Sequence, residues 1–333
     1  MEIVFFSEGN QHTRFFEPVL NNFIEKGYDV TLITLDENDN LIQNKNLLNV
    51  KIPKNNIEKI NILKSINADY FFTTTPGLGH SYFPKSKIWP SSKRPKYVYL
   101  FHSLVSPNEM YLSNSFKNFD IIFSPSERIK ANLSFLVPNS VEIIVSGYTL
   151  FEKKENHKKI QSPGKNVLIA PTWGDKGLIN DINGLKKLKK FFYDKGYEVV
   201  IRPHPMTLEN ENLISKLNHF NLDMNHEVDN FNFYEFLITD YSGIAIEYYF
   251  FTENPTLFIN SSKKIKRKIK KHEKSLVLIE NEMREILGNT VELGRDKIKI
   301  PVVKDIEKAK TFVNSFYNKE SSIKIINDYL FKN

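Results

Sequence analysis

The chain has 333 residues, 41% hydrophobic and 26% charged, the balance of a soluble globular protein with apolar material for two cores. Lysine and arginine number 46 against 39 aspartates and glutamates, and the net charge of +7 points to an anionic partner: nucleic acid, phosphorylated substrate or anionic lipid. Cysteine is absent, which excludes a disulfide framework, a thiolate nucleophile and any Cys-ligated zinc or iron–sulfur site.

Taken in chain order, short apolar runs alternate with longer amphipathic segments. Strands are expected over Ile3–Phe6, Tyr28–Leu35, Tyr70–Thr74, Tyr97–Phe101, Asp120–Phe123 and Val141–Val145. Helices are expected between them over Phe15–Lys26, Ile57–Ile66 and Ser126–Leu136. The rhythm stops in a polar stretch ending in Ser162-Pro163-Gly164, then resumes with strands Val167–Ala170, Glu198–Ile201, Phe236–Thr239 and Thr256–Ile259. Helices Gly184–Lys195, Leu208–Leu217 and Ser242–Phe251 fall among these, and residues 306–333 read as terminal helices.

Strands separated by helices imply parallel pairing, since a parallel connection needs a long crossover. The expected fold class is α/β, with two facing doubly wound sheets and a cleft between them. An acceptor-side domain would span 1–150, a linker 151–165, a nucleotide-donor domain 166–305 and C-terminal helices 306–333. No run approaches the roughly 18 apolar residues of a membrane-spanning helix, and the first residues lack the basic start of a secretion signal. A cytoplasmic location is expected.

In open parallel sheets, ligands bind beyond the carboxyl ends of the strands, and the informative residues follow strands here. Asp240-Tyr241-Ser242-Gly243 runs into a helix, whose free N–H groups and positive dipole end suit a phosphate, with the Ser242 hydroxyl as a further donor. Gly243 would let the phosphate approach the backbone, and Glu247, one turn on, would accept bonds from ribose hydroxyls. An N-capped helix with a surface glutamate explains the same residues. In Arg202-Pro203-His204-Pro205, two prolines fix a loop that offers a forked cation and an imidazole to a pyrophosphate. His102 ends an aromatic strand and is a candidate base; a hydrogen-bonded core histidine is the alternative. His12, after the first strand, and Ser103 are acceptor-side candidates, and Thr172 and Trp173 are candidates for nucleotide contact or packing.

In this order, His102, Pro171-Thr172-Trp173, Arg202-Pro203-His204-Pro205 and Thr239-Asp240-Tyr241-Ser242 resemble the CDP-glycerol glycerophosphotransferases, the teichoic-acid and capsule polymerases and primases. The resemblance covers roughly residues 95–262. It implies a GT-B fold, with His102 as acceptor-side histidine, His204 as donor-side histidine, and Asp240, Ser242 and Gly243 in the segment holding the donor's diphosphate. Ser103 replaces a common glycine, Gly243 the second of two serines, Glu247 an aspartate and Arg202 a lysine.

The implied reaction is transfer of glycerol phosphate, or a related alditol phosphate, from a CDP-linked donor to a hydroxyl of a glycan or lipid-linked surface-glycan precursor. The alternatives are a GT-B glycosyltransferase using a nucleotide sugar and a sugar-nucleotide epimerase. No cofactor or metal is expected, since the chain has no Asp-x-Asp and no zinc-helix histidine spacing. Residues 263–274 hold eight Lys or Arg and one Glu, so the basicity is local. Lys264, Arg267, Lys268 and Lys271 are expected to meet an anionic membrane or polyanionic acceptor, placing the protein peripherally on the inner face of the cell membrane. No nucleic-acid reading module accompanies the tract.

Overall fold

Short apolar strands joined by helices assemble into two parallel sheets. The structure is a computed structural model; it describes all residues except 78–93, 113, 157–163, 174–176, 209, 225–227, 261–277 and 332–333. The chain divides into two units. The first comprises Met1–His102, Met110–Lys153 and Ser315–Asn333, the second Ser103–Glu109 and Lys154–Asn314.

In the first unit, seven strands are β1 (Glu2–Ser7), β2 (Asp29–Thr34), β3 (Asn49–Lys51), β4 (Tyr70–Thr73), β5 (Lys96–Leu100), β6 (Ile121–Ser124) and β7 (Glu142–Val145). Their order is β3-β2-β1-β4-β5-β6-β7, all pairs parallel. Strands β1, β4, β5 and β6 are almost wholly buried, as expected where helices cover a parallel sheet. One face is sealed by Phe5, Phe16, Phe23 and Phe72, with Phe5 and Phe72 stacked at 4.8 Å.

The second unit has six strands, β8 (Asn166–Ile169), β9 (Glu198–Ile201), β10 (Asn221–Leu222), β11 (Phe236–Thr239), β12 (Thr256–Ile259) and β13 (Gly288–Val291), ordered β10-β9-β8-β11-β12-β13. Its core collects Val167, Ile169, Leu185, Leu188, Phe192, Phe236 and Ile238. The helix Ile244–Thr252 is buried on nearly every side, the mark of a core helix rather than an amphipathic one. Strand β13 was not expected from the sequence. It pairs with β12 because Gly288 has no side chain: a Cβ there would lie 1.8 Å from the Thr256 carbonyl oxygen.

Several expected elements are broken or moved. Phe15–Lys26 starts two residues late, as Glu17–Glu25 with Pro18 in its first turn, where a missing N–H costs nothing, and a separate short helix, Asn10–Thr13, precedes it. Leu208–Leu217 becomes Pro205–Leu208 and Glu211–Ser215, the second capped by Asn210. Leu150 and Phe151 at the start of the expected linker are fully buried, and the division into units falls between Lys153 and Lys154. Residues 157–163 of that linker lie outside the described residues. The terminal helices part company: Ile306–Asn314 belongs to the second unit and Ser322–Phe331 to the first.

This last helix buries Ile326 and Leu330 in the first unit's core, and the Phe331 ring stacks on Tyr28 at 4.6 Å. Its start is held by Glu152, which accepts from Ser321 Oγ at 2.8 Å and Ser322 N at 2.6 Å. Replacing Glu152 by alanine should leave these donors unpaired and lower the unfolding free energy by about 1 kcal/mol, measurable by urea denaturation.

Candidate functional site

Strand order reverses between β1 and β4 in the first unit and between β8 and β11 in the second. Loops leaving the sheet at such a point splay apart and open a crevice. The singled-out residues gather at these two places.

In the first unit, the loop after β1 carries Glu8 and His12. It is pinned from below by Asp39, a fully buried carboxylate whose Oδ2 accepts from Thr13 Oγ1 at 2.7 Å and Thr34 Oγ1 at 2.8 Å. The acidic stretch around Asp36 thus works as a fastening for this loop. His12 Nε2 meets Glu8 Oε2 at 3.2 Å, and its Nδ1 lies 3.0 Å from Thr74 Oγ1, just beyond β4.

Thr74 also orients His102. Its carbonyl oxygen lies 2.7 Å from His102 Nδ1. A carbonyl can only accept, so Nδ1 carries the proton and the neutral ring keeps its lone pair on Nε2. Burial pushes the imidazole down to about 4; the Thr74 bond opposes this and the Arg14 charge reinforces it. The ring is therefore neutral near pH 7, with one nitrogen able to take a proton. The His12 and His102 rings lie 5.2 Å apart, with Phe15 and Tyr111 alongside His102.

In the second unit, the loops after β8 and β11 are tied by Asp240. This carboxylate is 0% exposed and accepts from Thr172 N and Oγ1, Leu178 N and Tyr241 N at 2.8 to 3.0 Å. A carboxylate so satisfied is a structural anchor, and a second anion beside it would be repelled. Asp240 accordingly shapes the loop.

Ser242, half-buried, accepts a weak bond from Ile244 N at 3.4 Å at the head of the helix Ile244–Thr252. The helix begins within two residues of the expected position. Gly243 has a different reason from the expected one. A Cβ on it would sit 2.6 Å from the carbonyl oxygen of Leu104, so the missing side chain makes room for the Ser103–Glu109 loop rather than for a phosphate. Ser103 lies half-buried at the start of that loop. Glu247 is 3% exposed, buried with the rest of the helix rather than lying on its surface.

Arg202 also lies inward. It is 3% exposed and gives Nε and Nη2 to Asp223 Oδ2 at 3.1 and 2.8 Å, while Tyr234 Oη donates to the same oxygen at 2.9 Å. The guanidinium also rests over the Phe231 ring. This buried pair bolts the Pro203–Pro205 loop in place. His204 is the group the loop presents. Its Nδ1 accepts from Met206 N at 3.2 Å, which leaves the proton on Nε2. Trp173, 52% exposed, lies beside it with ring centroids 6.2 Å apart.

Sequence reading missed Thr74, Asp223, Tyr234, Glu280 and Arg284. Arg284 donates Nη1 to the Asp240 carbonyl at 2.6 Å and lies over the Tyr241 ring. Lys264, Arg267, Lys268 and Lys271 lie outside the described residues. Among the described residues, no helix is long and apolar enough to cross a membrane.

Residues 147–268 match the family model described as CDP-Glycerol:Poly(glycerophosphate) glycerophosphotransferase. The matched segment holds Thr172, the Arg202–Pro205 loop and Asp240–Gly243, so the resemblance read from the sequence is borne out there; His12 and His102 precede it. No curated protein matches the chain in sequence. Solved structures do match. UDP-GlcNAc 2-epimerase of Methanocaldococcus jannaschii, in complex with UDP-GlcNAc and UDP, superposes with a TM-score of 0.62 at 15% identity, covering 99% of this chain and 100% of that one. The wall teichoic acid polymerase TagF, in a histidine-to-asparagine variant, gives 0.61 at 19% identity over 99% of this chain and 88% of the other. UDP-GlcNAc 2-epimerase of Neisseria meningitidis gives 0.55 at 15% identity over the full length of both chains. At such identities the likeness concerns the fold, which is GT-B-like.

Two outcomes follow from this geometry. His102 resists protonation in the folded state, whereas the unfolded chain takes that proton near pH 6.5, so its contribution to stability is lost as pH falls from about 6.5 towards 4. Between pH 7 and 4.5 the His102→Gln variant should lose on the order of 2 kcal/mol less than the parent, read from urea midpoints. Gly243→Ala should press a methyl against Leu104 and cost about 1–3 kcal/mol, seen as a lowered Tm.

Proposed function

We propose that this chain transfers glycerol phosphate, or a closely related alditol phosphate, from a CDP-linked donor to a hydroxyl of a surface-glycan precursor. The observation that carries the reading is the family match over residues 147–268, which takes in both loops at the second unit's strand-order reversal. A TagF structure obtained after soaking with CDPG agrees with a donor of this class.

The chemistry then divides between the units. The acceptor hydroxyl attacks the phosphorus that bears the alditol. His102 Nε2 takes the hydroxyl proton, the bond from that phosphorus to the CMP oxygen breaks, and CMP leaves. The Ser242 and Gly243 N–H groups ahead of the helix Ile244–Thr252, the Ser242 hydroxyl and His204 Nε2–H stabilise charge on the phosphates. Thr172, fixed by the hydrogen bond its hydroxyl donates to Asp240, leaves that oxygen to accept from the donor nucleotide. Arg202 and Asp240 act by holding these groups in place. His12, paired with Glu8 beside His102, serves the acceptor side. The basic residues Lys264, Arg267, Lys268 and Lys271 draw the enzyme to an anionic membrane carrying a lipid-linked acceptor.

The test is an assay with CDP-glycerol, CDP-ribitol and UDP-GlcNAc, each with and without a polyol phosphate acceptor. Acceptor-dependent release of CMP is expected. Release of a nucleoside diphosphate would mean attack at a sugar carbon, and acceptor-independent conversion of UDP-GlcNAc would mean an epimerase; either sinks the proposal. His102→Gln should lower turnover by at least about 100-fold, since a general base typically contributes 10²–10⁴, while donor Kd shifts less than about threefold.

A further inference from the structure

The helix Ile279–Ile286 was unexpected, and two of its buried charged residues touch both loops at the head of the proposed donor-binding helix. Glu280, 5% exposed, accepts from Ser106 N through Oε1 at 2.9 Å. Ser106 returns the bond, its Oγ accepting from Ile279 N at 2.9 Å. Such an exchange normally joins a capping serine to a glutamate three residues on. Here the partners are 174 residues apart, so a local cap has become a clasp on the Ser103–Glu109 loop. Four residues after Glu280, on the same helix face, Arg284 holds the other loop through the Asp240 carbonyl at 2.6 Å and Asn260 Oδ1 at 3.2 Å. The two loops meet where Leu104 fills the place of a Gly243 side chain.

We infer that Glu280 and Arg284 are positioning residues for transfer: from one face of one helix they hold the Ser103–Glu109 loop against Gly243 and fix the Asp240–Tyr241 backbone. The Ser242 and Gly243 N–H groups, just ahead of the helix Ile244–Thr252, are thereby kept in the geometry that grips the donor's diphosphate. The inference rests on the donor reading proposed above. Burial adds to its force, because among the described residues Glu280 Oε2 is buried without a hydrogen-bond partner. A helix designed only to pack would not keep a buried carboxylate in this state, since apolar replacements are often neutral or stabilising.

Donor affinity, measured by calorimetry with CDP-glycerol, tests the inference. Glu280→Ala and Arg284→Ala should each raise the donor Kd by about tenfold or more. Glu280→Gln, whose amide oxygen can still accept from Ser106 N, should restore it to within about threefold. Ser106→Ala, a milder break in the same clasp, should raise Kd in a chain that folds even if Glu280→Ala does not. Hydrogen exchange on the protein alone separates this inference from the donor reading. Opening of the clasp should speed exchange at residues 104–106 and 242–246 whatever the wild type binds. Variants that lower Tm but leave Kd unchanged, or faster exchange confined to the helix Ile279–Ile286, would overturn the positioning role. A wild type that binds no CDP-glycerol but shows the expected exchange overturns the donor reading alone.

Discussion

A buried carboxylate must find enough donors to replace its lost water, and the second unit is organised around how Asp240 does so. It draws N–H groups from Thr172, Leu178 and Tyr241 and the Thr172 hydroxyl, so two loops from different strands must close on it together. Gly177 obeys the same demand, for a Cβ there would lie 2.7 Å from the Thr172 carbonyl oxygen. With the side chain fixed, the Asp240 backbone becomes a rigid handle for Arg284. A loop that would otherwise wander is held at the head of the helix Ile244–Thr252.

The first unit solves a parallel problem with Thr74. Its hydroxyl and carbonyl point to two histidines and assign them different states. His102 donates to the carbonyl and keeps a basic nitrogen in a dry setting, while His12 meets a carboxylate. One imidazole is set against a carbonyl and the other against a carboxylate. The contrast comes from environment, as the side chains are chemically identical.

Most strands were legible because parallel sheets bury both faces and leave continuous apolar runs such as Ile3–Phe6 and Phe236–Thr239. Edges were not: Gly288-Asn289-Thr290-Val291 and Asn221-Leu222 carry too few apolar residues to announce a strand. The candidate site was legible in residue type and chain position, since histidine, serine and glycine after strands are local features. Roles were misread wherever a distant partner decided them. Nothing near Arg202 reveals that Asp223 will neutralise it, and nothing near Gly243 reveals Leu104. Glu280 and Arg284 gave no signal at all, because a charged pair in an amphipathic helix ordinarily faces water.

Neither unit is one continuous piece of polypeptide. The first needs Ser315–Asn333, made after nearly all of the second; the second needs Ser103–Glu109, made in the midst of the first. On the ribosome, the first sheet must therefore wait without the helix that covers Phe23 and Tyr28, its aromatic face open to chaperones and to wrong partners. Cutting the gene at the apparent midpoint would give two incomplete halves, each missing a segment carried by the other. Evolution can exchange the first unit only by moving three segments at once and the second only by moving two, which ties their inheritance together.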